Sequence, residues 1–435
     1  ARVAKSAGWT SVASDKGAAF LHFVGGNVLR QELFLELIMS LAAFSINTGG
    51  NLVRSGVWRY CGRSARVAKP AGWTLRSLTK MSAAVGVLGN DPVFAQTMLR
   101  VKDPEKSRVF YEKLLGMTFL TRLDFPSLEF SLYFYAYAEG EQVPDMEAPQ
   151  AEKAQWLWGR RYHTVELTHN WGTEKDESFA HHSGNTDPVG YAFSTIWVDD
   201  VSQVHKNLVE NGVKIVRGPE PMNPELGTQM LRVYDPDGYW VLFAENSVKK
   251  GSTNSVGVLG PSPVQRSTEF RVKDAQKSIK FYEDLGLTLM VQHEIKEPGT
   301  ELTIYGMGYP RSSVKPLDAS ASEPKPHVYL ENLDNYVLVL HHYHGSENDE
   351  KLTYHNGNTD PKGFGHIGFI VTDVEKAVEE AEKKGIAIKR KAGPFQDAGG
   401  KQQSSRAIRA FPGKVLDNLN RRGFYLPMVF LPPHQ

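Results

Sequence analysis

The sequence predicts an α+β protein built from tandem βαβββ modules, in which a strand and a helix are followed by three strands. The first observation is a duplication. Residues 96–103 read QTMLRVKD and residues 267–274 read STEFRVKD, while SGNTDPVGY at 183–191 returns as NGNTDPKGF at 356–364. The second is that each copy runs twice through the same order of strand-like and helix-like segments. Two copies of two modules give four modules in all.

The first module of copy one opens on QTMLRVKD, whose alternation is typical of a strand. Asp103 and Pro104 then predict the N-cap and first residue of a helix, and Gly116 predicts its end. Three further strands are predicted at about 117–124, 128–137 and 162–169.

The second module begins with a strand at 191–198 and a helix at about 200–211 that ends at Asn211 and Gly212. Its remaining strands are predicted at about 213–217, 228–234 and 239–245, the last two around an Asp-Pro-Asp-Gly turn. Copy two repeats this order, with DAQKSIKFYEDLG and DVEKAVEEAEKKG as its helices.

Length and composition fit this organisation. A chain of 435 residues with 41% hydrophobic residues suggests two to four domains, and the duplication favours two, at 91–248 and 262–400. A formal charge of +1 gives no reason to expect nucleic acid or an anionic membrane as a partner. The single cysteine, Cys61, excludes an intrachain disulfide and favours a reducing compartment, so we expect a cytoplasmic protein.

Residues 1–90 differ from the rest and form a low-complexity extension. Basic residues outnumber acidic ones, and ARVAKSAGWT at 1–10 recurs as ARVAKPAGWT at 65–74. The apolar run at 33–46 is too short to span a bilayer comfortably. Two interpretations stay open: an organellar transit peptide, which would change the expected compartment, or an extension upstream of a true start at Met81.

Strand geometry groups polar residues on common faces. Alternate side chains share a face, so Gln96 lies with Arg100, and Glu166 lies with Asn170. Lys362 and His366 have the same four-residue spacing, which is roughly 13 Å in extended chain. This pattern suits an elongated ligand with one end at Gln96, Glu166 and His366 and a charged tail at Arg100, Asn170 and Lys362.

For each of these residues, taken alone, a purely structural role is an alternative to a role in ligand binding. A lone Gln or Glu in a sheet is more often hydrogen-bonded than a metal ligand, and the RVKD segment alone could be a strand end with a helix cap. HHYH at 341–344 is not expected to be a ligand set, because adjacent strand residues face opposite ways. Only the combination of residues is specific.

Taken together, several segments resemble the glyoxalase I (lactoylglutathione lyase) family of the vicinal-oxygen-chelate superfamily. They are QTMLRVKDP, FPSLEFSLYF, VELTHNWGTE, DPDGYW and GNTDPKGFGHIGF, which span most of 93–395. The resemblance implies curved sheets around an interdomain metal site, with Zn²⁺, or alternatively Ni²⁺, as the cofactor. It implies isomerisation of the hemithioacetal of methylglyoxal and glutathione to S-lactoylglutathione. Two fused domains would replace a homodimer, so we expect a monomer.

Carried over by residue, the resemblance implies Gln96, Glu166 and His366 as metal ligands, with Glu166 also the proton-shuttling base. It implies Arg100, Asn170 and Lys362 as glutathione contacts, with Lys362 standing where the family usually has Arg.

The mirror-image positions should not bind a metal. They carry Ser267, Val339, Phe193 and Leu242, most of which are apolar, whereas such metals prefer charged or imidazole ligands. We therefore expect one metal per chain.

The family's fourth ligand, a Glu in the last strand, is not recognisable in the divergent tail at 401–435. The nearest match places Pro427 at that position, and Asp417 is the tail's only carboxylate side chain. Two functions stay open: a metal-dependent isomerase, and an impaired or non-catalytic relative that binds glutathione conjugates. An iron extradiol dioxygenase is disfavoured, because Gln96 stands in place of a required His.

Overall fold

The structure is a computed structural model. It describes residues 85–223, 227–247, 255–297, 300–309, 317, 326–333 and 335–390, and short strands outside these ranges. The chain divides into two compact units, residues 1–77 and 78–435. In the first unit the described residues form one antiparallel pair, β1 (Thr10–Ala13) and β2 (Ala19–His22). The remainder of the predicted extension, including Cys61 and Met81, lies outside the described residues.

The first module of copy one has the predicted order. Asp103 caps the helix by accepting hydrogen bonds from the backbone N–H groups of Glu105 and Lys106. The helix then widens into a π-helical turn at Val109–Leu114 and ends before Gly116, whose φ of 71° suits glycine. The elements are β3 (Val93–Val101), α1 (Pro104–Arg108), β4 (Thr118–Phe125), β5 (Phe130–Ala136) and β6 (Thr164–Asn170). An additional helix, α2 (Gln150–Trp158), lies between β5 and β6.

The second module of copy one has the same order without the extra helix. Asp200 caps its helix by accepting from the backbone N–H of Gln203. Its elements are β7 (Tyr191–Val198), α3 (Val201–Glu210), β8 (Ile215–Asn223), β9 (Thr228–Tyr234) and β10 (Trp240–Glu245).

Copy two repeats these elements. Its first module comprises β11 (Val264–Arg271), α4 (Ala275–Asp284), β12 (Thr288–Glu297), β13 (Thr300–Gly308), α5 (Pro326–Glu331) and β14 (Val337–Tyr343). Its second begins with β15 (Phe364–Ile370), α6 (Val374–Lys383) and β16 (Ile388–Arg390). Short strands follow, namely β17 (Phe395–Gln396), β18 (Gln402–Gln403), β19 (Ala407–Phe411) and β20 (Met428–Phe430).

The modules exchange partners between the copies. One eight-stranded sheet has the order β16-β20-β19-β15-β3-β6-β5-β4, and the other has the order β12-β13-β14-β11-β7-β10-β9-β8. Each sheet therefore joins the first module of one copy to the second module of the other, through the antiparallel pairs β3–β15 and β7–β11. Thr97 and Thr268, which occupy equivalent positions in the copies, hydrogen-bond to each other through their hydroxyl groups. This contact marks the pseudo-twofold axis.

The largest core cluster joins both copies. Tyr191 and Phe364 are equivalent residues, and their rings stack with centroids 5.1 Å apart. Both are buried, at 4% and 1% exposure. Fully burying one such ring contributes about 1.5–3 kcal/mol relative to exposure. This packing fixes the register between the two sheets and hence the position of residues that the copies share.

The second modules of the two copies differ in the direction of the strand that pairs with their first strand. In copy one, β10 runs parallel to β7, whereas in copy two the strand beside β15 is β19, which runs antiparallel to it. The expected fourth-ligand strand therefore has no counterpart of the same direction among the described strands. Asp417 and Pro427 lie outside the described residues.

Candidate functional site

Three residues predicted as metal ligands come together, two from copy one and one from copy two. Gln96 Nε2 lies 3.3 Å from His366 Nε2, and Glu166 Oε2 lies 3.9 Å from the same nitrogen. Their exposed fractions are 1% for Gln96, 0% for Glu166 and 1% for His366. A buried carboxylate beside an imidazole and an amide is costly unless it is paired or binds a cation, so the cluster indicates a polar site.

Strand register produces this convergence. β3 pairs in parallel with β6, which sets Met98 opposite Glu166, and pairs antiparallel with β15, which sets Met98 opposite His366. Gly368 lies opposite Gln96 in the same antiparallel pair. A Cβ at Gly368 would approach the Gln96 Cβ to 2.9 Å and its Oε1 to 3.0 Å, so glycine leaves the space that the Gln96 side chain occupies.

Thr168 forms a hydrogen bond to one oxygen of the Glu166 carboxylate. Its hydroxyl donates to Glu166 Oε1 at 3.2 Å, and the residue is 7% exposed. Thr168 lies two residues along β6 and therefore on the same face of the sheet. The other oxygen, Oε2, is the one nearest His366. The Glu166 side chain is thus oriented with Oε2 toward His366.

This geometry fits a divalent cation. Zinc bonds of about 2.0–2.2 Å to N and O ligands give ligand separations near those between these atoms. Gln96 Oε1 is buried with no hydrogen-bond partner, an unfavourable state that a cation would relieve. Rotating the side-chain amide of Gln96 by half a turn would exchange the positions of its Nε2 and Oε1 and direct Oε1 toward His366. In the described part of the chain, no cluster contains three or more His, Cys, Asp or Glu residues suited to a metal, so this site depends on the Gln donor.

Of the predicted glutathione contacts, Arg100 and Asn170 lie farther along β3 and β6, whereas Lys362 lies just before β15 begins. Arg100 is partly buried and donates to the backbone carbonyls of Gly357 at 3.1 Å, Gly363 at 3.0 Å and Phe364 at 3.2 Å, and to Asn358 Oδ1 at 2.8 Å. It therefore clamps the GNTDP loop of copy two. Asn170 and Lys362 are both exposed.

Arg271 of copy two forms the equivalent hydrogen bonds to the corresponding loop of copy one. It donates to the carbonyls of Gly184 at 3.2 Å and Tyr191 at 3.1 Å and to Asn185 Oδ1 at 2.9 Å. Both arginines therefore have a structural role at the interdomain loops, which the interpretation of RVKD as a strand end with a helix cap did not include. The two clamps hold the copies together at both interdomain loops.

The mirror-image half contains charged residues that sequence comparison missed. Ser267, Val339, Phe193 and Leu242 stand at the ligand positions, but Glu269 and His341 lie two residues further along β11 and β14. Glu269 Oε2 is 2.6 Å from His341 Nε2, and Glu269 is 7% exposed. Their equivalents in the metal half, Met98 and Thr168, are uncharged, and this difference between the copies was the available signal.

The three histidines of the HHYH segment each contact a different residue. His341 faces Glu269, whereas His342 Nε2 lies 2.9 Å from Glu347 Oε2 and His344 Nε2 lies 2.8 Å from Thr303 Oγ1. These three histidines do not converge on one point, in keeping with the alternation of strand side chains.

A half-buried histidine, His163, lies at the junction of the copies near Gln96. His163 stacks on Tyr336 of copy two with ring centroids 3.3 Å apart, and Phe94 packs edge-on at 5.2 Å. Desolvation by burial lowers the pKa of His163 from 6.5 to about 3. The imidazole is therefore neutral near pH 7.

Comparisons with known proteins identify the family of this chain. The model of the glyoxalase/bleomycin resistance protein/dioxygenase superfamily matches residues 93–243 and 265–402. Glyoxalase I of Saccharomyces cerevisiae is 30% identical over 310 residues, covering 70% of this chain and 86% of the yeast protein. This chain belongs to the glyoxalase I family. Lactoylglutathione lyase of Schizosaccharomyces pombe is 30% identical over 297 residues, covering 68% of this chain and 87% of that protein.

The two-domain architecture also has a structural counterpart. Glyoxalase I from Zea mays superposes with a TM-score of 0.50 and 22% identity, covering 79% of this chain and 93% of that chain. At this identity the likeness shows the fold. The predicted resemblance and fold class are confirmed, and the chain is an enzyme of the lactoylglutathione lyase class. No helix among the described residues is long and apolar enough to cross a membrane.

Proposed function

We propose that the chain isomerises the hemithioacetal of methylglyoxal and glutathione to S-lactoylglutathione at one interdomain metal site. The observation that carries the proposal is the convergence of Gln96 and Glu166 from copy one with His366 from copy two. The relatives named glyoxalase I and lactoylglutathione lyase support the substrate and the reaction. Domains at 91–248 and 262–400 would work as a fused pair, and we propose a cytoplasmic monomer.

Gln96, Glu166 and His366 would hold the metal, for which we propose Zn²⁺, with Ni²⁺ as the alternative. Three protein ligands are enough for a catalytic zinc site. When bound, the cation would supply Lewis-acid polarisation of the substrate oxygens. Glu166 would take the proton from C1 and return it to C2, because it is the carboxylate of the cluster. Thr168 would orient the carboxylate by its hydrogen bond to Glu166 Oε1.

Arg100, Asn170 and Lys362 would bind the glutathione tail. Arg100 and Asn170 each lie four residues beyond Gln96 and Glu166 on their strands, a separation of roughly 13 Å in extended chain. That length suits a tripeptide thiol whose sulfur-linked end reacts at the ligands. The exposed Asn170 and Lys362 would provide hydrogen bonds at the open end, and Lys362 would act as a point charge for a carboxylate.

The second carboxylate of the family's mechanism has no counterpart among the described residues. Losing one acid–base group typically lowers a rate about 10²–10⁴-fold, so we expect slow but measurable turnover. The test follows the ultraviolet absorbance of the thioester product with Zn²⁺ or Ni²⁺ added to chelator-treated protein. Metal-dependent thioester formation supports the proposal. Binding of glutathione conjugates without turnover under either metal would instead indicate the non-catalytic alternative.

A further inference from the structure

The DPDGYW turn of copy one, residues 235–240, has no role in the proposed reaction as described so far. It connects β9 to β10 in the sheet that does not contain the three proposed ligands. Asp235 builds the turn, because its Oδ1 accepts hydrogen bonds from the backbone N–H groups of Asp237 and Tyr239, both at 2.9 Å. Gly238 has a φ of 86°, which favours glycine. These bonds fix the points from which the Asp237 and Tyr239 side chains extend.

The turn is also anchored to the first module of copy one. Tyr111, in the π-helical turn that follows α1, donates a hydrogen bond from its hydroxyl to Asp235 Oδ2 at 2.8 Å. Tyr111 and Asp235 are both buried, and Tyr239 is 0% exposed. Both oxygens of Asp235 therefore accept hydrogen bonds, as buried polar atoms normally do. The turn is thus held against the helical segment that follows β3.

Two side chains of the turn contact the backbone at the end of β3. The Tyr239 hydroxyl donates to the backbone carbonyl of Arg100 at 3.0 Å. Asp237 Oδ1 accepts from the backbone N–H of Lys102 at 2.7 Å. These two backbone groups lie on either side of Val101, the last residue of β3. The turn therefore holds the backbone immediately around Arg100.

The turn supplies hydrogen-bond partners where strand pairing ends. The register of β15 against β3 ends at Leu99. The carbonyl of Arg100 and the N–H of Lys102 lie beyond this pairing, where backbone groups still need partners. Tyr239 and Asp237 supply these partners from a turn of the other sheet. The sheet without the proposed ligands thus contributes to the position of Arg100.

The sequence pattern of this turn differs between the copies. The nearest match in the tail of copy two reads RRGFYL where copy one reads PDGYWV. Arg422 and Phe424 thus stand at the positions of Asp237 and Tyr239. An arginine side chain has no acceptor and a phenylalanine side chain has no hydroxyl. The DPDGYW pattern occurs once in the chain, and it supports the strand end that carries Arg100.

We propose that Tyr239 and Asp237 are positioning residues for the binding of the glutathione tail by Arg100. They act through the backbone of β3 and not by contact with the ligand. This inference rests on the proposed function, in which Arg100 binds the tail, but not on the metal or on the chemical step. Loss of either hydrogen bond weakens binding of the tail and raises KM, while kcat stays close to that of the wild type because Gln96 lies four residues away along β3.

Calorimetric titration of the full chain with S-methylglutathione tests the proposal. This thioether carries the tripeptide but has no hemithioacetal group, so its binding is measured without turnover. Tyr239→Phe should raise its Kd about twofold to tenfold, the range expected for one lost hydrogen bond. Tyr282→Phe is the control, because it removes the hydroxyl of another buried tyrosine, in α4 of copy two. This control should leave Kd unchanged.

Further variants separate positioning from a general loss of stability. Asp237→Asn keeps an oxygen acceptor for the Lys102 N–H and should bind S-methylglutathione as the wild type does. Asp237→Ala removes the acceptor and should weaken binding about twofold to tenfold. Tyr239→Phe combined with Arg100→Ala should bind no more weakly than Arg100→Ala alone, because the hydroxyl acts through this arginine.

The outcomes distinguish this inference from the proposed function. The inference is overturned if Tyr239→Phe binds S-methylglutathione as well as the wild type, if its effect adds in full to that of Arg100→Ala, or if the wild type shows no saturable binding. Binding by the wild type without thioester formation under either metal would contradict the isomerase and leave the positioning role in place. Turnover by the wild type with an unchanged KM in Tyr239→Phe would contradict the positioning role alone.

Discussion

Gln96 and His366 are 270 residues apart in the chain, yet their Nε2 atoms lie 3.3 Å apart on two paired strands of one sheet. Neither copy contains both residue types at these positions. The contact exists because β3 of copy one pairs with β15 of copy two, so the exchange of modules assembles the site. A change that separates the copies would therefore also separate Gln96 and Glu166 from His366, the proposed metal ligands.

Glu166→Gln tests the role of the carboxylate. The substitution keeps the shape of the side chain but removes its charge and its basicity, so kcat for thioester formation should fall by about 10²–10⁴-fold and metal content should fall as well. Glu129→Gln, which changes an exposed carboxylate, is the control. Full activity of Glu166→Gln with metal bound would show that another residue is the base.

Gly368→Ala tests the close packing behind Gln96. The added methyl group would lie 2.9 Å from Gln96 Cβ and displace the side chain toward His366. We expect weaker metal retention during dialysis and lower activity with little loss of stability. Gly159→Ala, where the nearest atom is the Trp156 carbonyl at 3.2 Å, is the control. Unchanged metal retention would argue against Gln96 as a ligand.

Arg100→Ala and Arg271→Ala form a matched pair, because each arginine clamps the loop of the other copy. Both substitutions should lower the free energy of unfolding by about 1–3 kcal/mol, since each removes several hydrogen bonds from a charged donor to the loop of the other copy. Only Arg100→Ala should also raise KM for the hemithioacetal, the mark of lost substrate binding. An equal effect on KM from both variants would limit Arg100 to its structural role.

His163 should make the protein sensitive to acid. Its folded pKa is about 3 and its ordinary value is 6.5, so below pH 6.5 the unfolded chain binds a proton that the folded protein excludes. The free energy of unfolding should therefore fall as the pH decreases from about 6.5 toward 3. His163→Phe keeps the ring stack and should flatten this part of a denaturation profile measured against pH. Parallel profiles for the two proteins would contradict this assignment.

The sequence was sufficient for the module order, and it also located the three polar residues that converge, because the duplication shows where the copies differ. Strand alternation placed Gln96 and Glu166 on faces that do converge, and Asp103 caps its helix as predicted. Helix α2 and its counterpart α5 in copy two were not predicted, because neither belongs to the strand–helix–three-strand order by which the other elements were recognised.

Two features of the site were beyond sequence reasoning. The clamp by Arg100 uses mainly backbone carbonyls, and these are present in every residue, so no sequence pattern marks them. The pair of Glu269 and His341 was missed because the copies were compared only at ligand positions. Its residues stand where copy one has Met98 and Thr168, two residues away on the same strands.

Metal stoichiometry tests the central claim most directly. Mass spectrometry of protein reconstituted with Zn²⁺ and dialysed should give one metal per chain, because Gln96, Glu166 and His366 provide donors whereas Ser267, Val339 and Phe193 do not. The same measurement on His366→Ala should give a value near zero, which assigns the metal to the interdomain site. A value near two in the wild type, or an undiminished value in His366→Ala, would contradict the account of a single split site.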